Sequence, residues 1–472
     1  MVIQRARDSN AFGTVNLYGW ANSSQAGVTC RLGGFSSSVV AASTESSGGG
    51  YQWKCPLPQK TGSFATYTVD VGSSSGESVT LENVVFGDVL FCGGQSNMQF
   101  SVPGMFDAEE YSKEAGNYSM IRLFSVGQDS NAPLSLEPQD DLFSADLKWA
   151  ESSSSSVSSF SAVCFTAGLK LFADALNSAV PLGLVSSNWD GSLIEQWTPR
   201  EVVAGCPQHL GTGGSLYNSM VHPFRDMAFR GLLWYQGESN FWFNRDSYGC
   251  LQNGMLGAWR ALGDGWADLP LLFVQLSAWN THYHSPMLAE FRNMQVGLIG
   301  EGQTMVTAAD LGDPESPYTD YHPRNKAEVG RRLALAASSL FYGNPPQPFL
   351  GPLPTSIVAV TSAAAGFVVR VTFDPFSCAG DHGGLQLKEA QKCPDEVVPN
   401  ICGWPFLVDA QGLAVKATAV LGGADTFTVD FVPSSVMIHE PTSILYGQND
   451  YPMLTVYNGL GIPLLPFSAT WT

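Results

Sequence analysis

The sequence predicts an α/β protein: a parallel sheet covered by helices on both faces, flanked by sandwich-like β regions. Three observations predict it. Five short apolar runs, at 89–92, 182–186, 231–235, 271–276 and 305–309, alternate with segments of helical period. Strands that alternate with helices build a three-layer arrangement around a buried parallel sheet. On either side, the pattern changes to short alternating runs divided by turn residues, the signature of antiparallel β structure. The 472 residues are enough for two or three domains.

Residues 1–86 read as the first, β-rich domain, with strand patterns at 15–18, 28–32, 51–54 and 65–69. Residues 87–345 read as the α/β domain. Within it Phe165, Leu169, Phe172 and Leu176 share one helix face, and Val329, Leu333, Ala336 and Leu340 repeat that spacing. Gly343 suits a helix stop. The Ser-rich run at 151–159 reads as a surface loop. Pro345, Pro346, Pro348 and Pro352 mark a linker. Residues 346–472 then return to β patterning at 357–360, 367–373 and 427–431. The pattern leaves open whether they form their own domain or join the strands of 1–86.

With 42 acidic and 23 basic side chains the net charge is −19. That argues against nucleic acid and anionic membranes as partners. No run reads as a membrane span, and no signal peptide is visible. The chain opens in a strand pattern at Val2-Ile3-Gln4, so a removed leader is expected. None of the nine cysteines form close pairs with zinc spacing, so neither metal nor cofactor is expected. Cys206, Cys250, Cys378, Cys393 and Cys402 sit in polar stretches, which favours disulfides and a secreted or lysosomal/vacuolar setting. The expected pairs are Cys30–Cys55 and Cys206–Cys250, with Cys92, in an apolar run, as the free thiol. Asn22 and Asn117 begin glycosylation sequons.

In parallel sheets the ligand site lies beyond the carboxyl ends of the strands. There the sequence places Gln95-Ser96-Asn97, then Asn188 to Ser192 with Glu195, Gln196 and Trp197, then Gln236-Gly237-Glu238-Ser239-Asn240. The last two strands are followed by Ser277 to Asn280, and by Asp310, Asp313, Asp320 and His322. Ser96 follows a buried strand and the turn at Gly93-Gly94, which suits a nucleophile; its plain alternative is an N-cap. His322 is the best-placed base. His222, His282 and His284 are rivals, while His209, His382 and His439 fall outside the strand-end pattern. Asp320 is expected to hold the imidazole. Oxyanion donors are expected from the Ser96 and Gly191 backbone N–H groups and the side chain of Gln236 or Asn97. Glu238 reads either as an orienting or substrate-binding group or as a buried structural carboxylate.

Three blocks carry a family resemblance: Gly94-Gln-Ser-Asn-Met98, Trp234-Tyr-Gln-Gly-Glu-Ser-Asn240, and His322-Pro-Arg-Asn-Lys326 with Glu328-Val-Gly330. They resemble the signature blocks of the sialate O-acetylesterases, within the SGNH-type hydrolases. Met1-Val-Ile-Gln-Arg5, Ser215-Leu-Tyr-Asn218, Asp190 to Glu195 with Trp197, and 445–467 support it, so the resemblance spans nearly the whole chain. It implies an SGNH-like, flavodoxin-like fold and a metal-free serine–histidine mechanism. Ser96 would take an acetyl group from an O-acetylated sialic acid or sialoglycan, most typically at the 9 or 4 hydroxyl. His322 would act as base and then acid.

One position departs from the family. Many SGNH hydrolases carry aspartate three residues before the histidine, where this chain has Thr319. A pair held by a backbone carbonyl, or help from Asp310 or Asp313, therefore stands beside Asp320. The third-block asparagine is replaced by Gln236 or Glu238. Substrate contacts are expected from Gln95, Asn97, Glu238, Trp197 and Tyr321. Of the aromatics near the strand ends, Trp197 and Tyr321 are the ones expected at the surface. Arg200, Arg292 and Arg324 are candidates to meet a sugar carboxylate. Two other readings remain: an esterase of acetylated xylan or other plant polysaccharide, and a non-catalytic glycan-binding protein.

Overall fold

One strand, Ser78–Gly94, takes part in two kinds of pairing. The computed structural model describes all residues except 6–13, 43–48, 59, 129–135, 282–285, 301, 382, 390–391, 398–400, 423–426 and 472. The first half of this strand pairs antiparallel with Ser63–Ser73 and parallel with Val2–Gln4. Its second half pairs parallel with Leu182–Asn188 and Gly231–Tyr235. The boundary expected at 86/87 falls inside this continuous strand. Val84, Val85, Phe86 and 89–92 are all buried, so the chain has no solvated hinge there. Gly87 is needed for close approach: a Cβ would lie 2.1 Å from the Pro181 carbonyl oxygen.

Contacts divide the chain into two compact units. Unit 1 comprises 1–272 with 301–303 and 340–342; unit 2 comprises 273–300, 304–339 and 343–472. The C-terminal β region and the N-terminal strands fall in different units.

In unit 1 the sheet runs Gly231–Tyr235, Ser78–Gly94, Leu182–Asn188, Ile121–Val126, Ala145–Glu151. The first four are parallel and the last is antiparallel, so the sheet is mixed. Leu182–Asn188 and Gly231–Tyr235 are buried throughout, which is why they read as unbroken apolar runs. Phe91 packs edge-on against Phe224, Phe229, Trp259 and Trp266, with ring centroids 5.5–5.9 Å apart. The predicted helix forms at Ala162–Lys170, where Ser161 caps it by accepting from the Cys164 N–H. It continues into a wider turn, Leu171–Ala175.

Cys30–Cys55 and Cys206–Cys250 are bridged as expected. Cys92 is corrected: it is bridged to Cys164, tying the end of the central strand to this helix, and Cys393 is bridged to Cys402. Cys378, which is buried, is in none of these four disulfides.

Unit 2 holds most of the strands Leu271–Gln275 and Gln303–Thr307 and most of the helix Lys326–Tyr342. Asn325 caps that helix, and Gly343 ends it in the left-handed region at φ 63°. A seven-stranded antiparallel sheet comes next, ordered Pro354–Ser362, Gly366–Phe373, Thr428–Pro433, Ala414–Leu421, Phe406–Asp409, Pro441–Tyr446, Phe467–Thr470. Val369, Val371, Phe373, Val429, Phe431 and Ile444 lie in its core.

Candidate active site

Register brings three loops to one sheet edge. Gly94 pairs with both Asn188 and Tyr235, so three parallel strands end level. Each strand end runs directly into one of the expected segments: Gln95-Ser96-Asn97, Trp189 to Ser192, and Gln236-Gly237-Glu238. Two bonds continue past the strand ends, from Gln95 N–H to the Tyr235 carbonyl (3.1 Å) and from Trp189 N–H to the Gly94 carbonyl (3.0 Å). Gly94 sits at φ 149°, and a Cβ there would lie 2.1 Å from the Tyr235 oxygen. Only glycine lets the chain turn this closely past its neighbour.

The turn delivers Ser96 as the first residue of the short helix Ser96–Gln99, half-buried. Its backbone N–H therefore belongs to the helix's first turn. Asn97 Nδ2 donates to Glu238 Oε1 at 2.5 Å, and both residues are buried.

Behind Ser96 lies a network of buried amides. Gln95 Oε1 accepts from Gln236 Nε2 (3.1 Å), Gly237 N–H (3.4 Å) and Ser239 N–H (3.2 Å). Gln236 Nε2 also reaches the Ser192 carbonyl (3.1 Å) and Asn240 Oδ1 (2.8 Å). Asn240 Nδ2 and Asn244 Nδ2 donate to the two oxygens of Glu195, at 2.9 and 2.6 Å. Ile194 N–H and Leu210 N–H complete the set, on Asn240 Oδ1 and Glu195 Oε1. Glu195 is 1% exposed, a buried carboxylate held by neutral donors.

Several expectations for unit 1 are corrected by this network. Gln95 is buried; its carbonyl oxygen accepts from the neighbouring loop, and its Nε2 lies 3.4 Å from Ser96 Oγ. The Gln236 amide hydrogens point at Gln95, Ser192 and Asn240, within the network. Trp197 is fully buried: its Nε1 donates to Ser192 Oγ (2.9 Å) and its ring packs edge-on against Trp234. It supports the Gly191 turn and is no sugar platform. Gly191 is exposed at φ 67°. Among aromatics near this edge, Trp242 and Phe243 are the exposed ones.

Unit 2 carries the histidine. His322 is half-buried, and its Nδ1 lies 2.6 Å from the Tyr318 carbonyl and 2.9 Å from Thr319 Oγ1. His322 N–H donates to the Thr319 carbonyl (3.0 Å), closing a turn, and Ser316 Oγ donates to the His322 carbonyl (2.7 Å). The Tyr321 ring lies beside the imidazole, centroids 4.5 Å apart. Thr319 sits at φ 78°, unusual for a β-branched residue.

The carboxylates expected to serve His322 are directed elsewhere. Asp320 Oδ2 accepts the Asn280 backbone N–H at 2.7 Å, which corrects its assignment as third member of a triad. Asp310 takes a two-pronged pair from Arg332 (2.6 and 2.9 Å). Asp313 takes one from Arg324 (2.7 and 2.9 Å). Burial works against ionisation of Asp313, but the Arg324 side chain and N–H outweigh it and hold the carboxyl below its ordinary range. Glu328 behaves likewise: burial opposes its charge, and Arg331 and Arg332 win.

Arg292 is fully buried and donates to the backbone carbonyls of Leu276, Ser277 and Asp450, so it is unavailable to a ligand. Arg324 is engaged by Asp313, which leaves Arg200 exposed among the three. His222 Nδ1 faces the Gln139 carbonyl. His282, His284 and His382 lie outside the described residues. Among the described residues, no group of His, Cys, Asp and Glu could hold a metal ion, and no helix is long and apolar enough to cross a membrane.

Residues 87–339 match the family model described as carbohydrate esterase, sialic acid-specific acetylesterase. The chain belongs to this family. It is similar to mouse sialate O-acetylesterase, 31% identical over 354 residues, covering 63% of this chain and 64% of the mouse protein. The human sialate O-acetylesterase is 33% identical over 312 residues, covering 59% of this chain and 58% of the human one. The chain thus matches under two thirds of the length of these two relatives. A crystal structure of a carbohydrate acetylesterase from Xanthomonas citri superposes with a TM-score of 0.79 at 26% identity, over 99% of this chain and 96% of that one. The family segment contains Ser96, the three level strand ends and His322.

The backbone carbonyl that the sequence offers as an imidazole partner is matched by the Tyr318 oxygen. Sequence reasoning does not find the Thr319 hydroxyl as a second partner, although Thr319 is the departure from the family pattern. It places Glu195 and Asn240 at the strand ends but not the bonds that join them to Asn244, because those link separate segments of the chain.

Proposed function

We propose that the protein is a carbohydrate esterase that removes O-acetyl groups from sialic acids, with the 9-O-acetyl group as its main target. The observation that carries the reading is the level ending of three strands, which presents Ser96 at the head of a helix within the family segment. Ser96 Oγ attacks the acetyl carbonyl while His322 Nε2 takes its proton. The Ser96 and Gly191 backbone N–H groups stabilise the oxyanion. His322 returns the proton to the sugar oxygen, which leaves as the hydroxyl. Water, deprotonated by His322, then releases acetate from Ser96. Asn97 and Glu238 fix the loop walls, and Tyr321 contacts the sugar.

The names of the mammalian relatives support sialic acid as substrate. The bacterial structure, similar over nearly the whole chain, supports the broader class of acetylated carbohydrates. An SGNH-like domain flanked by β regions is the architecture we assign. The four disulfides favour a secreted or lysosomal setting.

The test is acetate release from 9-O-acetylated sialic acid by the parent, Ser96→Ala and His322→Ala, with folding matched by circular dichroism. Loss of about 10⁴-fold or more in both variants is expected. A parent active on acetylated xylan alone would move the substrate to plant polysaccharide. Activity that survives Ser96→Ala would overturn the mechanism.

A further inference from the structure

We infer that Thr319 is a positioning residue that, with the Tyr318 carbonyl, takes the place of the acidic member of a catalytic triad. This rests on the esterase reading above. A carbonyl oxygen only accepts hydrogen bonds, and the Tyr318 oxygen lies 2.6 Å from His322 Nδ1. The neutral imidazole must therefore carry its hydrogen on Nδ1, leaving the Nε2 lone pair as the base. Thr319 Oγ1, 2.9 Å from the same nitrogen, accepts from that N–H as a second partner. One N–H between two oxygens at these distances is fully engaged.

The backbone is arranged for this contact. Thr319 holds φ 78°, a conformation strained for a β-branched residue. The His322 N–H on the Thr319 carbonyl closes the turn and carries Thr319 over the imidazole. Such strain persists where surrounding structure over-determines it, and here it turns a hydroxyl and a carbonyl toward one ring nitrogen. The charged groups of the same loop are turned away: Asp320 to the Asn280 N–H, and Asp313 to Arg324. The Nδ1 hydrogen is thus held between two neutral oxygens, which fix the tautomer of the ring.

Three substitutions separate orientation from mere folding. Thr319→Val keeps the β-branch and shape but removes the oxygen. Its kcat should fall about 10-fold with KM unchanged, the scale of one lost hydrogen bond. Thr319→Ser should restore kcat to within about twofold of the parent. Thr319→Asp places a carboxylate beside the ring, which favours the imidazolium. The acid limb of its kcat/KM profile should then move up by about one pH unit or more. The downfield Nδ1–H proton resonance should shift in Thr319→Val and return in Thr319→Ser, a readout independent of turnover.

Parent-like kcat in a folded Thr319→Val, or an unmoved acid limb in Thr319→Asp, would overturn the inference. Activity lost in Ser96→Ala under those same results would show that the esterase reading stands and only the role of Thr319 falls. Should Ser96→Ala remain active, the serine mechanism falls, and the resonance still decides whether Thr319 holds the ring.

Discussion

The serine and the histidine are positioned in opposite ways. Ser96 rests on a buried lattice: level parallel strands, a glycine with no room for a Cβ, and amides that satisfy one another. His322 rests on a half-exposed loop, held by one tight turn, a left-handed threonine and neighbouring ion pairs. In the first region geometry comes from long-range register. In the second it comes from a few residues adjacent in sequence. A nucleophile set by register should be insensitive to changes on its surface and sensitive to a buried loss. A base set by a local turn should be the reverse.

The largest effect tests whether the two regions serve one reaction. Ser96→Ala combined with His322→Ala should cost about as much as the worse single variant, on the order of 10⁴-fold or more, since groups acting as a unit are strongly non-additive. Multiplying effects would mean that the two residues act in separate steps or not together.

Next comes the buried lattice. Glu195→Ala leaves Asn240 and Asn244 without their acceptor and should destabilise the protein by about 3 kcal/mol. Denaturant unfolding checks this; a change under about 1 kcal/mol would show the network to be dispensable.

A smaller effect belongs to the histidine region and to acid. Asp313 and Glu328 have carboxyls lowered in the folded state, so their contribution is complete above the ordinary carboxylate range of about 4. It is lost as pH falls through their depressed values. Thermal melts at descending pH should show this loss, and Asp313→Asn should flatten it. Identical slopes for parent and variant would remove Asp313 from the account.

The smallest expected effect is the sharpest. Asp320→Ala should leave kcat within about threefold of the parent, the scale of a peripheral hydrogen bond. A fall of several hundredfold would restore Asp320 to the triad.

The strand ends were legible because a strand buried on both faces must be apolar throughout, so its last residue marks where polar chemistry begins. That placed the strand ends at Cys92, Ser186 and Tyr235, within two residues of the observed Gly94, Asn188 and Tyr235, and with them Ser96. Asp320 misled because nearness in sequence is not contact. In the turn that bonds His322 N–H to the Thr319 carbonyl, the residue three back is the one brought over the ring. Trp197 misled because its ring is buried against Trp234, on a strand far along the chain, and no periodicity reports such a contact. Cys92 misled because an apolar run is equally a place for a buried disulfide. The strand through Gly87 was cut in two because the sequence pattern changes there, and pattern does not report that one strand can pair in both ways.

That strand has a consequence for anyone wishing to excise the family segment as a minimal enzyme. Asp88 is fully buried and is clamped by Arg5 Nε (3.0 Å), a second Arg5 nitrogen (2.9 Å) and Gln4 Nε2 (3.0 Å); Gln4 in turn accepts the Val89 N–H. A fragment starting at residue 87 would strand this carboxylate in the core without its partners, a loss of about 3–5 kcal/mol. Arg5 is the counter-ion of the central strand's Asp88, and Gln4 completes its hydrogen bonds. Trimming them would weaken the strand on which the family segment is built.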